Sequence, residues 1–214
     1  MAETELSYIV VEGPIGVGKT TLARRLAESY GGELLLEAPE ENPFLARFYE
    51  NPRANALATQ LYFLLQRVRQ VQGLRQSDMF SPVRVADYLM DKDRLFAELT
   101  LEPDELALYQ QVSAQVVGEI VRPDLVIYLQ APVGVLRERI ASRGHAYEER
   151  IDAQYLQRLV AAYTRFFYHY EDSPLVIVNA AEIDLANNDR DYELLFERLK
   201  DIRSGRHYLN PLPF

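Results

Sequence analysis

The sequence predicts a doubly wound α/β fold, with a five-stranded parallel sheet and helices on both faces. Three observations lead there. Short β-rich runs alternate with long stretches of helical spacing through the 214 residues. The runs hold four or five apolar residues in succession, as strands covered on both sides do. The stretches between them are long enough to serve as crossovers. No Pro/Gly/Ser linker, internal repeat or low-complexity segment breaks the alternation, so residues 1–214 read as one domain.

The first strand is expected at Tyr8–Glu12, followed by a glycine-rich turn and a helix over Thr21–Tyr30, where Leu22, Leu26 and Tyr30 recur at successive turns. A second strand at Glu33–Glu37 precedes a long helical region. Within it, Arg53–Gln76 places Leu57, Leu61, Leu64, Leu65 and Val68 on one stripe. The third strand is Val83–Asp87. Helices at Pro103–Val121 and Pro132–Ser142 have proline near the first turn, where its missing N–H costs nothing. The fourth strand, Asp124–Leu129, follows the first of these. Asp152–Tyr170 reads as a long helix, Leu175–Asn179 as the fifth strand, and Tyr192–Ile202 as the closing helix. The helices between strands two and three are more apolar than one sheet contact needs. A thick core accounts for that, and so does a face buried against a second copy in a homodimer.

Composition narrows the function classes. Net charge is −9, from 23 Lys and Arg against 32 Asp and Glu. Nucleic-acid polymers are disfavoured as partners because their binders need a cationic contact face. A small phosphorylated ligand needs only a few placed cations. Cysteine is absent, which excludes a disulfide framework and a thiolate metal site. The opening MAETELS is acidic and lacks the apolar core of a secretion signal. No apolar run reaches membrane-spanning length, and a cytoplasmic location is expected.

Gly13-Pro14-Ile15-Gly16-Val17-Gly18-Lys19-Thr20 reads G-x-x-x-x-G-K-[ST] in full, between a strand and a helix. This is the phosphate loop of a P-loop NTPase. Its glycines let backbone N–H groups converge on an anion, and the following helix adds its positive end. Lys19 is expected at the β- and γ-phosphates, the Thr20 hydroxyl on Mg²⁺, and Thr21 beside the α-phosphate. The ligand is therefore expected to be ATP, or another nucleoside triphosphate, with magnesium. No Asn-Lys-x-Asp guanine-reading motif accompanies the loop.

Three further segments point to phosphoryl transfer. Glu37 closes the second strand beside the loop, where ligands of doubly wound sheets bind, and could take a proton from an attacking hydroxyl. Glu40 and Glu41 lie close by as solvated acids. Asp87 closes the third strand, suited to Mg²⁺ or to capping a helix, and Asp91 and Asp93 compete for the metal role. Arg137, Arg139, Arg143 and Arg150 cluster in VLRERIASRGHAYEERI. With Gly144 as a hinge, this segment can close as a lid over residues 139–151. Arg139 and Arg143 lie one helical turn apart and could both face the phosphates. His145 in the same segment could meet a phosphate or simply be exposed.

The blocks EGPIGVGKTTLARRLAE, EENPFLARFYENP, TQLYFLLQR, PDLVIYLQAPVGVLRERIASRG and the Glu149–Ile151 run stand in one order from Tyr8 to about Asn179. Together they resemble the deoxyribonucleoside kinase family, in particular its bacterial deoxyadenosine and deoxyguanosine kinase-like members. Many families share the phosphate loop, whereas ENPF…FYENP and TQLYFLLQR are far more specific. The resemblance implies that Glu37 is the general base for the sugar 5′-hydroxyl. It implies that Tyr49 bonds the 3′-hydroxyl, joined by Glu148, with Glu149 one register slip away. Gln60 would read the nucleobase edge, with Arg67 two turns further along the same face. Arg139 and Arg143 match lid arginines, and Phe44 and Phe96 would wall the base pocket. An acid at Asp93 or Asp91 would join Gln60 and Arg67, which suits adenine or guanine, then cytosine, better than thymine.

The family usually ends its third strand in Glu-Arg-Ser or Asp-Arg-Ser, whereas this chain has Ala86-Asp87-Tyr88. Either Asp87 keeps the acidic role and Tyr88 replaces the arginine, or Asp87 takes the arginine's position and Ala86 the acid's. Arg84 or a lid arginine would then substitute. The implied reaction is transfer of the ATP γ-phosphoryl group to the 5′-hydroxyl of a deoxyribonucleoside. Two other readings stand beside it. A thymidylate-type nucleoside monophosphate kinase would need arginines for an acceptor phosphate, where this chain has the acidic EAPEENP. A nucleotide-binding subunit without turnover is supported only by the missing arginine.

Overall fold

The computed structural model describes residues 6–75 and 82–210. Six strands form one parallel sheet in the order β2-β3-β1-β4-β5-β6. They are β1 (Tyr8–Glu12), β2 (Glu33–Leu35), β3 (Arg84–Ala86), β4 (Leu125–Gln130), β5 (Leu175–Asn179) and β6 (Arg206–Leu209). The helices are α1 (Lys19–Tyr30), α2 (Leu45–Glu50), α3 (Pro52–Arg75), α4 (Lys92–Thr100), α5 (Pro103–Val116), α6 (Val133–Arg143), α7 (Ala153–Tyr168) and α8 (Asp189–Leu199).

The expected α/β architecture holds, with one strand more than expected. β6 adds to the edge beyond β5, pairing Leu175 with Arg206 and Val178 with Leu209. The expected β2 and β3 are shortened, so Glu37 and Asp87 stand just past the paired residues, in the turns at the sheet's carboxyl edge. The expected end of α3 at Gln76 and the last four residues of the tail lie outside the described residues. Among the described residues, no helix is long and apolar enough to cross a membrane.

Alternation along the strands sorts the core into two layers. Ile9, Val11 and Ile127 point with Leu26 and Leu195 to the side covered by α1 and α8. Val10, Val126 and Tyr128 point with Tyr163 and Phe167 to the side covered by α7. The Tyr128 and Phe167 rings stack at 4.1 Å. Burying one such large apolar side chain contributes about 1.5–3 kcal/mol, enough for each layer to hold its helices on the sheet. The apolar stripe of α3 is partly spent inside the chain: Leu64 is buried with Met90, Ala97 and Tyr109, against α4 and α5.

Candidate active site

The loop between β1 and α1 is shaped by close contacts. A Cβ on Gly13 would stand 2.4 Å from the Leu129 carbonyl oxygen, so only glycine lets the loop lie against the end of β4. Gly18 is the opposite case. Its φ of 105° needs glycine, and nothing lies within 4 Å of a Cβ there. It begins α1 without a side-chain cap, which leaves first-turn N–H groups available to an anion. The Lys19 ammonium donates to the carbonyls of Gly13 at 2.8 Å and Pro14 at 3.3 Å. Burial pulls it down to about 8, and Lys92 adds to the effect against Glu12, Glu37 and Asp87.

One cavity runs from this loop to the helices over β2 and β3. Gly18, Lys19, Thr20, Glu37 and Asp87 line its floor, and Tyr49, Gln60, Arg67, Phe96 and Glu148 line its walls. Donor-side and acceptor-side residues thus share one space. The Arg67 Nε, Thr59 Oγ1 and Glu148 Oε2 atoms are buried on it without a protein partner among the described residues. Such groups call for a polar ligand or water.

Glu37 is the electrostatic centre. Its Oε1 accepts from an Arg67 terminal nitrogen, and its Oε2 accepts from the Lys92 ammonium at 2.9 Å. Arg67 bonds Asp93 with its other terminal nitrogen. Burial opposes ionisation of Glu37, yet the two cations outweigh it and hold the carboxyl well below the usual carboxylate range. Asp93 has one oxygen unbonded, and burial pushes its carboxyl up to about 6 against the pull of Arg67. It stands behind Arg67 rather than on the cavity wall, so any bearing on a base is through the guanidinium.

Asp87 stands just after β3, with its carboxylate turned to the phosphate loop. Its Oδ2 accepts from the Thr20 hydroxyl at 2.5 Å, and its Oδ1 from the Glu37 N–H at 2.8 Å. A hydroxyl and a carboxylate side by side suit a hard divalent cation that takes its other ligands from phosphates and water. Among the described residues, no cluster of three or more His, Cys, Asp or Glu is present to hold a metal. Thr20 and Asp87 would therefore be the protein's contribution. Tyr88 stands in the next position, fully buried.

Several expectations need correction. Phe44 does not line the cavity: its ring faces Tyr62 at 6.5 Å and the Arg47 guanidinium at 5.3 Å, and Phe48 and Phe63 form the wall instead. Asn42 fixes this by accepting the Phe44 N–H at 3.0 Å. Arg139 does not face the cavity with Arg143. Its terminal nitrogens donate to the Val17 carbonyl at 3.1 Å and the Ala180 carbonyl at 2.7 Å. It thereby staples the phosphate loop to the end of β5, beside a groove also bordered by Thr21, Ile183 and Asp184. Arg143 borders both groove and cavity and bonds Glu148 at 3.0 Å. Arg84 is no substitute for the missing arginine. It sits at the amino end of β3 and pairs with Glu33, at the opposite end of the β2–β3 pair from Glu37.

The acid at Glu148 is buried on the cavity, whereas Glu149 is exposed. The Tyr49 ring stacks at 6.4 Å on Tyr147, and His145 stacks on the other end at 5.5 Å, with its ring exposed. Lys92 and Glu12, like Phe48 and Phe63, are not among the site residues expected from the sequence. Lys92 stands among other charges in DKDR, with no pattern to single it out. Glu12 is 1% exposed and accepts from the Gly13 N–H at 2.8 Å, the Leu89 N–H at 2.7 Å and the Tyr163 hydroxyl at 2.9 Å. Its signal was available: an acid ending a fully apolar strand, directly before the glycine loop.

The sequence model of the family described as deoxynucleoside kinase matches residues 9–203. The chain belongs to the deoxynucleoside kinase family. This kinase is 32% identical to the deoxyguanosine kinase of Bacillus subtilis (strain 168), over 91% of its own length and 97% of that protein's. It is 26% identical to the deoxyadenosine kinase of Lactobacillus acidophilus, over 86% of its length and 90% of the relative's. Among solved structures, the deoxyadenosine kinase of M. mycoides with bound dATP superposes with a TM-score of 0.79 at 25% identity, covering 91% of this chain and all of that one. The same enzyme with dCMP and a flexible dCDP bound gives a TM-score of 0.80 at 24% identity, over the same shares. This kinase is a phosphotransferase acting on a deoxynucleoside, and the monophosphate-kinase and inactive-subunit readings fall away.

Proposed function

We propose that this kinase transfers the γ-phosphoryl group of ATP to the 5′-hydroxyl of a purine deoxyribonucleoside, deoxyguanosine or deoxyadenosine, with deoxycytidine a weaker acceptor. The observation that carries the reading is the shared cavity, with Glu37 between the phosphate loop and the Gln60–Arg67 face of α3. The purine preference rests on the names of the relatives and on the groups that Gln60 and Arg67 offer on the cavity wall, with Asp93 holding the guanidinium from behind.

In this reading the 5′-oxygen gives its proton to a Glu37 oxygen and bonds the γ-phosphorus, while the bond to the β,γ-bridging oxygen breaks and ADP leaves. Loop N–H groups and Lys19 hold the phosphates. Arg143 screens the transferring group, and Arg139 holds the loop in shape rather than touching it. Mg²⁺, held by Thr20 and Asp87, would offset phosphate charge. Tyr49 and Glu148 take the sugar 3′-hydroxyl, and Phe96 packs on the base.

Residues 145–151 act as the lid on a single domain; the lid expected over 139–151 is shortened, because Arg139 ties the last turns of α6 to the phosphate loop and the end of β5. A homodimer through α3 and α5 is supported by Leu65 and Leu108, which stay 43% and 48% exposed beside the cluster these helices share. A cytoplasmic location goes with this reading.

The test is an acceptor panel with ATP and Mg²⁺: deoxyguanosine, deoxyadenosine, deoxycytidine, thymidine and their 5′-monophosphates. Purine deoxynucleosides should give the highest kcat/KM and the monophosphates none. Preference for thymidine would overturn the assignment of the base pocket.

A further inference from the structure

Both Glu37 oxygens accept from cations, and each keeps a further lone pair for a proton. Two cations make the carboxylate a weak base, so release of one would strengthen it, and the two differ in what they would lose. Arg67 would still keep Asp93, to which its other terminal nitrogen is bonded. Lys92 is 5% exposed, and Glu37 is its one hydrogen-bonded partner among the described residues. Its other neighbour is the Phe96 ring, 5.5 Å from the ammonium. Pulling Lys92 from Glu37 would leave a buried ammonium without a hydrogen-bonded partner among the described residues, with only that ring and the more distant Glu12 charge, which is costly. Arg67, on the wall beside Gln60, has an unpaired Nε, which together with the released nitrogen would offer donors to a bound base.

Lys92 also fills a gap in the sequence. The arginine that the family's usual motif supplies after β3 is replaced by Tyr88, whose ring is buried at 5.8 Å from the Arg67 guanidinium. Lys92, four residues later in the first turn of α4, brings its ammonium to the same carboxylate from another element.

We propose that Lys92 is the positioning residue of Glu37: its ammonium holds Oε2, so that Oε1 meets the 5′-hydroxyl once Arg67 turns to the base. The inference rests on Glu37 being the general base. It names the residue that keeps that base in place, and it assigns the exchange of partners to Arg67 alone.

The test uses the full-length enzyme with its preferred deoxynucleoside. Lys92→Met should lower kcat about 10- to 100-fold, the cost of a misplaced reacting group, and leave the deoxynucleoside KM within about threefold. Lys92→Arg should recover most of the loss, because a cation returns to Oε2. The double variant Lys92→Met/Glu37→Gln should be no slower than Glu37→Gln alone, since a residue acting through Glu37 has nothing left to act on. A merely structural lysine would lower the unfolding temperature, and its loss would multiply with that of Glu37→Gln. Lys92→Gln carries the same comparison if Lys92→Met does not fold. A normal kcat in Lys92→Met beside a slow Glu37→Gln, or losses that multiply, overturns the inference alone. Full turnover in Glu37→Gln overturns the general-base reading and this inference with it.

Discussion

The Thr20 hydroxyl and the Asp87 carboxylate meet at 2.5 Å, joining the first turn of α1 to the end of β3. Asp87 gives its second oxygen to the Glu37 N–H, so one side chain keeps the phosphate loop and the acceptor carboxylate in a fixed relation. Asp87→Asn keeps the shape and an acceptor oxygen while losing the charge. It should raise the Mg²⁺ concentration for half-maximal turnover about 10- to 100-fold, measured by titrating magnesium at fixed ATP. An unchanged midpoint would remove Asp87 from the metal.

Lys19 supplies a pH dependence. Its ammonium is charged below about 8 in the empty site and loses its charge above that value. Triphosphate binding favours the charged form, so ATP affinity should be level just below that value, above the pH at which the γ-phosphate itself takes up a proton. On the alkaline side it should fall by at most about tenfold per pH unit. Calorimetric titration of ATP across that range gives the profile. Lys19→Arg should bind without the alkaline fall, and a matching fall in that variant would assign the limb elsewhere.

Glu12 predicts a stability effect apart from chemistry. Glu12→Ala would strand three donors that converge on it and should cost roughly 2–4 kcal/mol in denaturant unfolding. Tyr163→Phe removes one donor and leaves the carboxylate two backbone partners, so about 1 kcal/mol is expected. Equal costs would mean that the carboxylate is not the hub.

Glu148 should discriminate at the sugar. A hydrogen bond to a charged group contributes about 1.5–3 kcal/mol, so Glu148→Gln should cut the preference for a 2′-deoxynucleoside over its 2′,3′-dideoxy counterpart by about 10- to 100-fold. Competition between the two acceptors gives the ratio directly. A preference unchanged by the variant would place the 3′-hydroxyl elsewhere.

The fold was legible where local pattern and burial agree. β1 and β5 span the residues that their apolar runs mark, because both faces of each are covered. β6 was not: in RHYL three of four residues are exposed, and only pairing with β5 makes it a strand. α2 and α4 are short and interrupted by charges, so neither carries a clear period. In the site, Lys19 and Thr20 follow from one contiguous motif. Lys92 could not be read the same way, because an isolated charge suggests solvent until distant elements close around it, whereas the place of Glu12 at the end of an apolar strand did mark it. Phe44 and Arg139 went the other way, as order along the chain says nothing of where a ring or a guanidinium turns.

The Arg139 staple has a mechanical consequence. α6 is tied to the phosphate loop and to β5 by that guanidinium, and it ends at Gly144 with φ 69°. Any swing of the following segment therefore pivots beyond the staple, on a short arm carrying Tyr147 and Glu148. Such a movement would open and shut the part of the cavity proposed for the sugar, while the phosphate loop stayed still. Occupancy by the alcohol, rather than by the triphosphate, would then set how long the door stays closed.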